Sequence, residues 1–227
     1  MEPLFTVACT QPWLLASFAA PQRMASWSIN RPGIVDARRV AWLEVRDADL
    51  PPELDPLALL HARLDAADLA DAVALMTSRD VRRHRLVETH VDGIRSQALA
   101  TVGLTNGVAF AADGSVEARR PRPRPRVGTI NLLLALSCRL ADPALLEALS
   151  IAATARTAAL LAEDGTVAAT GTDCIVLACP SSGPGHGQPY AGLHTAAGRS
   201  LAQAAYRAVR AARQDWEVEF GCTKSPS

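Results

Sequence analysis

Apolar positions come in short runs through the first half of the chain and in longer ones toward its end. Residues 4–9, 13–18, 24–29 and 40–45 each read as a strand, because four to six apolar or alternating positions are bounded by turn formers. Asn30-Arg31-Pro32-Gly33 and Asp49-Leu50-Pro51-Pro52 are the breaks between them. Asp55 before Pro56 has the form of a helix start, a capping carboxylate ahead of a proline that needs no N–H. Leu57, Leu60, Leu64 and Leu69 follow at helical spacing. Residues 73–76 form a short apolar strand. Residues 82–92 alternate as an exposed strand or hairpin arm, with 96–105 as partner, and Asn106-Gly107 is a turn pair.

The pattern is densest between Gly128 and Ala204. Residues 130–136 and 174–179 are apolar runs that suit buried strands. A helix starting at Asp142-Pro143 and reaching about Ala162 separates them, and a second helix over 193–213 follows. Many short strands, hairpin signals and two or three long helices predict an α+β class: a single domain over 1–227 with a mixed β-sheet and the helices packed on it.

Composition changes this picture little. Hydrophobic residues make up 49% of the 227 but aromatics only 4%, so Ala, Leu and Val must fill the core. The formal net charge is zero, which supplies no general attraction to nucleic acid or to an acidic membrane. Five cysteines, odd in number and without a Cys-x-x-Cys pair, fit neither a disulfide framework nor a zinc ribbon. The N-terminal residues have no secretory pattern, and no apolar run approaches the roughly 20 residues of a membrane span. The expectation is a cytoplasmic protein with no membrane or nucleic-acid partner; a homo-oligomer is left open.

Candidate chemistry sits at strand ends. Thr170-Gly171-Thr172-Asp173 leads into one apolar strand and Gly128-Thr129-Ile130-Asn131 into the other. These residues suit a polar pocket with Asp173 as base or orienter, and equally suit turns. His194 stands near the start of the last helix, where it could serve as acid or base. A strand, a loop and a returning helix are expected to bring Asp173 and His194 to one edge of the sheet. Gly183-Pro184-Gly185-His186-Gly187 matches no nucleotide-binding pattern. His84, Glu88, His90 and Asp92 share a strand parity, yet their spacing matches no zinc motif, and a solvated face is expected. The run Arg119–Arg126 alternates with proline and carries no aromatic side chain for base stacking. No Gly-x-Ser-x-Gly elbow occurs. An N-terminal threonine hydrolase would require the chain to be cut, and the sequence alone marks no site for that.

Taken in order, several of these segments resemble the adenosylcobinamide amidohydrolase family. They are Asn30, Leu75-Met76-Thr77-Ser78, Thr101-Val102-Gly103-Leu104-Thr105-Asn106-Gly107, Gly128-Thr129-Ile130-Asn131, Thr170-Gly171-Thr172-Asp173 and Gly192-Leu193-His194-Thr195-Ala196-Ala197-Gly198. The resemblance implies a corrinoid-salvage hydrolase that cleaves the aminopropanol amide of adenosylcobinamide. The alternative is a catalytically weakened corrinoid-binding protein of the same fold. Catalytic roles are expected for Asp173, His194, Asn131, Thr129 and Thr172, and substrate contacts for Asn30, Thr77, Asn106, Thr170, Gly171 and Thr195. Cobalt is carried by the corrinoid substrate, so no protein cofactor or metal is expected. Three departures stand out. Where the family carries Thr-Glu-Ala-Lys in the central helix this chain reads Ala153-Thr154-Ala155-Arg156-Thr157, without the acidic residue and with Arg for Lys; the early glycines before Asn30 are missing, and the Thr-Gly repeat before Asp173 is shortened.

Overall fold

The computed structural model describes residues 2–51, 53–118, 128–163, 165–183 and 187–220. The Arg-Pro run and the tail from Lys224 lie outside the described residues, as does the centre of the glycine-rich loop at 183–187.

The N-terminal third is a meander. Strand β1 (Thr6–Thr10) turns into β2 (Trp13–Ser26), which pairs antiparallel with β3 (Gly33–Glu44). The two strands expected at 13–18 and 24–29 are thus one, and its pairing with β3 shifts register between Ser17 and Gln22. The expected turn at 30–33 is present, and Gly33 holds φ +90°, a value L side chains adopt only with strain. Helix α1 (Pro56–Ala66) begins as expected: the Asp55 side chain accepts from Leu57 N at 2.9 Å. Strand β4 (Val73–Thr77) then returns parallel to β3.

Strands β5 (Arg85–Val91) and β6 (Ile94–Val102) form a hairpin closed by Asp92 and Gly93, both at positive φ. Strands β7 (Gly107–Phe110) and β8 (Val116–Ala118) make a small sheet with β10 (Ala169–Thr170). The buried strands β9 (Ile130–Leu136) and β11 (Cys174–Pro180) run parallel, joined through α2 (Asp142–Leu161). The main sheet has the order β4-β3-β2-β11-β9-β6-β5, with β1 on β2, and is mixed as expected. Two helix boundaries differ from expectation. Asp142 lies inside α2 and pairs with Arg23 instead of capping, since Ala141 holds the cap position. The last helix, α3 (Ala196–Phe220), starts later and runs longer, because the Thr195 hydroxyl caps Gly198 N and Trp216 is still buried.

Three apolar layers result. Helices α2 and α3 cover one face of β6, β9 and β11 with Ala148, Ala152, Leu201, Ala204 and Val209. The opposite face carries Leu99, Leu133 and Val176, which share a core with Phe5, Leu14, Phe18 and Trp42 from the N-terminal strands. The sheet therefore coils over itself, and alanine-rich helices let the layers approach closely. Helix α1 covers the outer side of β3 and β4 through Leu60 and Leu64. By length and composition α2 could cross a membrane, which the sequence reading missed because Glu147 and Arg156 interrupt its apolar run. Its Ala144, Leu145, Ala148, Ala152, Ala155, Ala159 and Leu160 are buried, the pattern of a core helix.

Candidate active site

Because β4 and β9 lie four places apart in the sheet, only its coiling lets them meet. They do so where Asn131 Nδ2 donates to Met76 O at 2.7 Å. Around that bond lies a cavity of about 420 Å³. Its polar floor comes from the amino ends of β9 and β11 (Thr129, Asn131, Gly171, Thr172 and Asp173) and from Thr77 and Ser78 at the end of β4. Its rim is apolar: Trp27, Ile29, Leu50, Pro56 and Met76. Trp27 and Ile29 are among the exposed large hydrophobic residues of the surface.

Asp173 is the hub of the floor, although not as a free base. Its carboxylate accepts from Ile130 N at 3.1 Å, Thr170 N at 3.0 Å, the Thr170 hydroxyl, and Arg156 Nη1 at 2.8 Å. Its side chain is 6% exposed and that of Arg156 13%. Four donors occupy the carboxylate, so it has little capacity left to take a proton from water. Its backbone carbonyl also accepts from Trp27 Nε1 at 2.7 Å, which fixes the indole on the rim. Arg156 stands where the family has lysine, so that departure places a guanidinium on the carboxylate.

The two threonines of the floor are cross-linked. Thr129 Oγ1 donates to Thr172 O at 2.8 Å, and Thr172 Oγ1 donates to Gly128 O at 3.2 Å. Thr129 and Asn131 are buried, while Thr172 is exposed. Cys174 completes the wall, and burial pushes its thiol up to about 12, so it is neutral at physiological pH.

His194 does not join them. Asp173 precedes β11, whereas the loop to α3 leaves from the other end of that strand. There Ala191 N donates to Glu147 and Arg199 pairs with Asp92. Seven strand residues at about 3.3 Å each separate the two ends by roughly 20 Å. It is the end of α3, not its start, that returns toward the floor, which corrects the expected Asp173–His194 pairing. His194 is exposed, and Thr195 serves as the cap of α3.

The remaining candidates divide. Thr77 lines the cavity, and its hydroxyl accepts from Arg79 N. Thr170 reaches the site through Asp173. Asn30 instead bonds Ala72 O and Ala74 N, holding the β2–β3 turn against β4. Asn106 sits in the turn before β7 and does not line the cavity. Glu88, His90 and Asp92 are exposed, and His84 bonds Val81 O through Nδ1. Among the described residues no group of three or more His, Cys, Asp or Glu gathers.

The family model for adenosylcobinamide amidohydrolase matches residues 2–219. The chain belongs to that family. An adenosylcobinamide amidohydrolase of Methanosarcina mazei is 27% identical over 168 residues, covering 71% of this chain and 75% of that protein. One of Halobacterium salinarum is 36% identical over 112 residues, 49% of this chain and 47% of its own. A solved Burkholderia sp. beta-aminopeptidase aligns over 91% of this chain at 13% identity and a TM-score of 0.45, too distant to carry any inference. In this member of the amidohydrolase family, Trp27 on the rim of the candidate site and Arg156 on Asp173 are residues that sequence reasoning missed. Arg156 had a signal, a lone cation among buried alanines of α2. Trp27 had none, since an isolated tryptophan at a strand end is indistinguishable from a core residue.

Proposed function

We propose that this chain hydrolyses the amide joining aminopropanol to the corrin side chain of adenosylcobinamide, releasing adenosylcobyric acid and aminopropanol. Beside the family membership, one observation supports the reading. The cavity has a floor of hydroxyls and one amide, and a rim of apolar surface with a fixed indole. An amide-bearing arm fits such a floor, while the apolar rim meets the macrocycle from which the arm hangs. In this reading Thr129 is the nucleophile, and its hydroxyl attacks the carbonyl carbon to give an acyl-enzyme that water then hydrolyses. Thr172 and the backbone around Gly171 donate to the developing oxyanion. Asp173 and Arg156 hold the floor in place.

Cobalt belongs to the substrate, and we propose that the protein carries no metal or cofactor of its own and works in the cytoplasm. The experiment is direct: incubate purified protein with adenosylcobinamide and follow adenosylcobyric acid by mass. Corrinoid binding with no product would instead favour the weakened binding protein, a reading prompted by the absence of the family's acidic residue beside Ala155.

A further inference from the structure

We propose that the chain cuts itself between Gly128 and Thr129, and that the amine so freed is the base of the site. Three observations converge on that peptide bond. First, the carbonyl that precedes Thr129 receives the hydrogen bond of Thr172 Oγ1, at 3.2 Å. A hydroxyl aimed at a carbonyl oxygen polarises it and stabilises the oxyanion formed on attack. Second, Gly128 is held where no side chain fits: a Cβ there would meet Thr105 Oγ1 at 2.6 Å and Gly103 O at 2.7 Å. The scissile carbonyl is thereby fixed against the β6–β7 connection. Third, the cavity holds hydroxyl groups, but among the described residues only two titratable side chains line it. Asp173 is engaged by four donors, and the Cys174 thiol is buried and neutral. Amide hydrolysis by a threonine needs a base beside the hydroxyl, and a threonine's own α-amine, of pKa about 7.7–8.0, is suited to that at neutral pH.

The step balances with one water. Thr129 Oγ1 adds to the carbonyl carbon of Gly128, and the C–N bond breaks. The hydroxyl proton goes to the departing nitrogen. The result is an ester between Gly128 and the Thr129 side chain. Water then hydrolyses the ester, leaving a carboxylate on Gly128 and restoring the Thr129 hydroxyl beside its free α-amine. Both residues precede β9, so the cut breaks no strand, and the pairing of β9 with β6 and β11 keeps the two pieces together.

The proposal rests on the amidohydrolase reading only for the use made of the amine, and the test reads the cut without substrate. Intact mass and N-terminal sequencing of the purified full chain should show residues 1–128 and 129–227, the second beginning at Thr129. A single uncut chain overturns the proposal, whatever its activity. Thr129→Ala should stay whole; a cut at the same bond in that variant would implicate an outside protease and equally overturn it. Thr129→Ser should still cut, which covers the case in which the alanine variant does not fold, and an uncut serine variant counts against the proposal. Thr172→Val should slow the cut about 10²-fold; cutting at the wild-type rate would refute the role of its hydroxyl. A cut chain inactive on adenosylcobinamide would sink the substrate reading and leave the cut standing.

Discussion

Replacing Asp173 with asparagine separates a structural hub from a catalytic base. The carboxylate takes four hydrogen bonds, two of them from backbone N–H groups and one from the Arg156 guanidinium. Asparagine offers one acceptor oxygen and turns an NH₂ toward donors. At least one donor loses its partner, and Arg156, 13% exposed, keeps a charge with no counter-ion. Breaking a buried pair in this way costs about 3–5 kcal/mol. For a chain of this size each kcal/mol lowers the melting point by about 2–4 °C, so a fall on the order of 10 °C is expected. Thermal or denaturant unfolding would measure it. Adding Arg156→Met to Asp173→Asn should recover part of the loss, because it removes the unpaired guanidinium while the asparagine oxygen still accepts from a backbone N–H. Turnover in Asp173→Asn should fall in step with the folded fraction. An unchanged melting point with turnover reduced about 10²–10⁴-fold would show a free general base and refute the hub.

His194→Ala should leave turnover within a few-fold of wild type, since His194 lies at the far end of β11; a loss of about 10²-fold or more would place it in the chemistry. Trp27→Ala should raise KM for adenosylcobinamide by an order of magnitude with little change in kcat, measured by initial rates; an unchanged KM would remove the indole from the substrate platform. The Cys174 thiol should resist iodoacetamide in the folded protein at pH 8, and quick stoichiometric labelling would contradict its burial. Because its pKa is raised from 9.0 to about 12 on folding, the unfolded chain loses that proton first, and stability should fall as pH climbs between those values. Activity should survive chelation, and loss restored by added metal would overturn the metal-free proposal.

Much of the architecture was legible because it depends on local rules. Asp55-Pro56 capped a helix, and the apolar runs at 130–136 and 174–179 became β9 and β11, buried on both faces. The parallel pairing of those strands follows from the helix between them. What the sequence could not show is long-range. The single strand Trp13–Ser26 was split in the reading because Pro21 interrupts its pattern. Thr129, Thr172 and Asp173 were rightly drawn together by their positions at neighbouring strand entrances. His194 was wrongly added, because sequence order does not say which end of a strand a following helix begins from. The contact of Asn131 with Met76 depends on a sheet that coils, and no local pattern encodes that.

The place of β11 bears on how the protein is made. It lies between β2 and β9, so it is the strand that joins a half-sheet of β4, β3 and β2 to a half-sheet of β9, β6 and β5. During synthesis every other strand of the main sheet leaves the ribosome before it. Until it arrives, two unpaired edges face each other, one of them β9, apolar at every position but Asn131. Open edges of that kind invite association with other chains. The emerging polypeptide is therefore most exposed to aggregation just before its eleventh strand is complete, and a ribosome stalled ahead of residue 174 would release two sticky halves with no site between them.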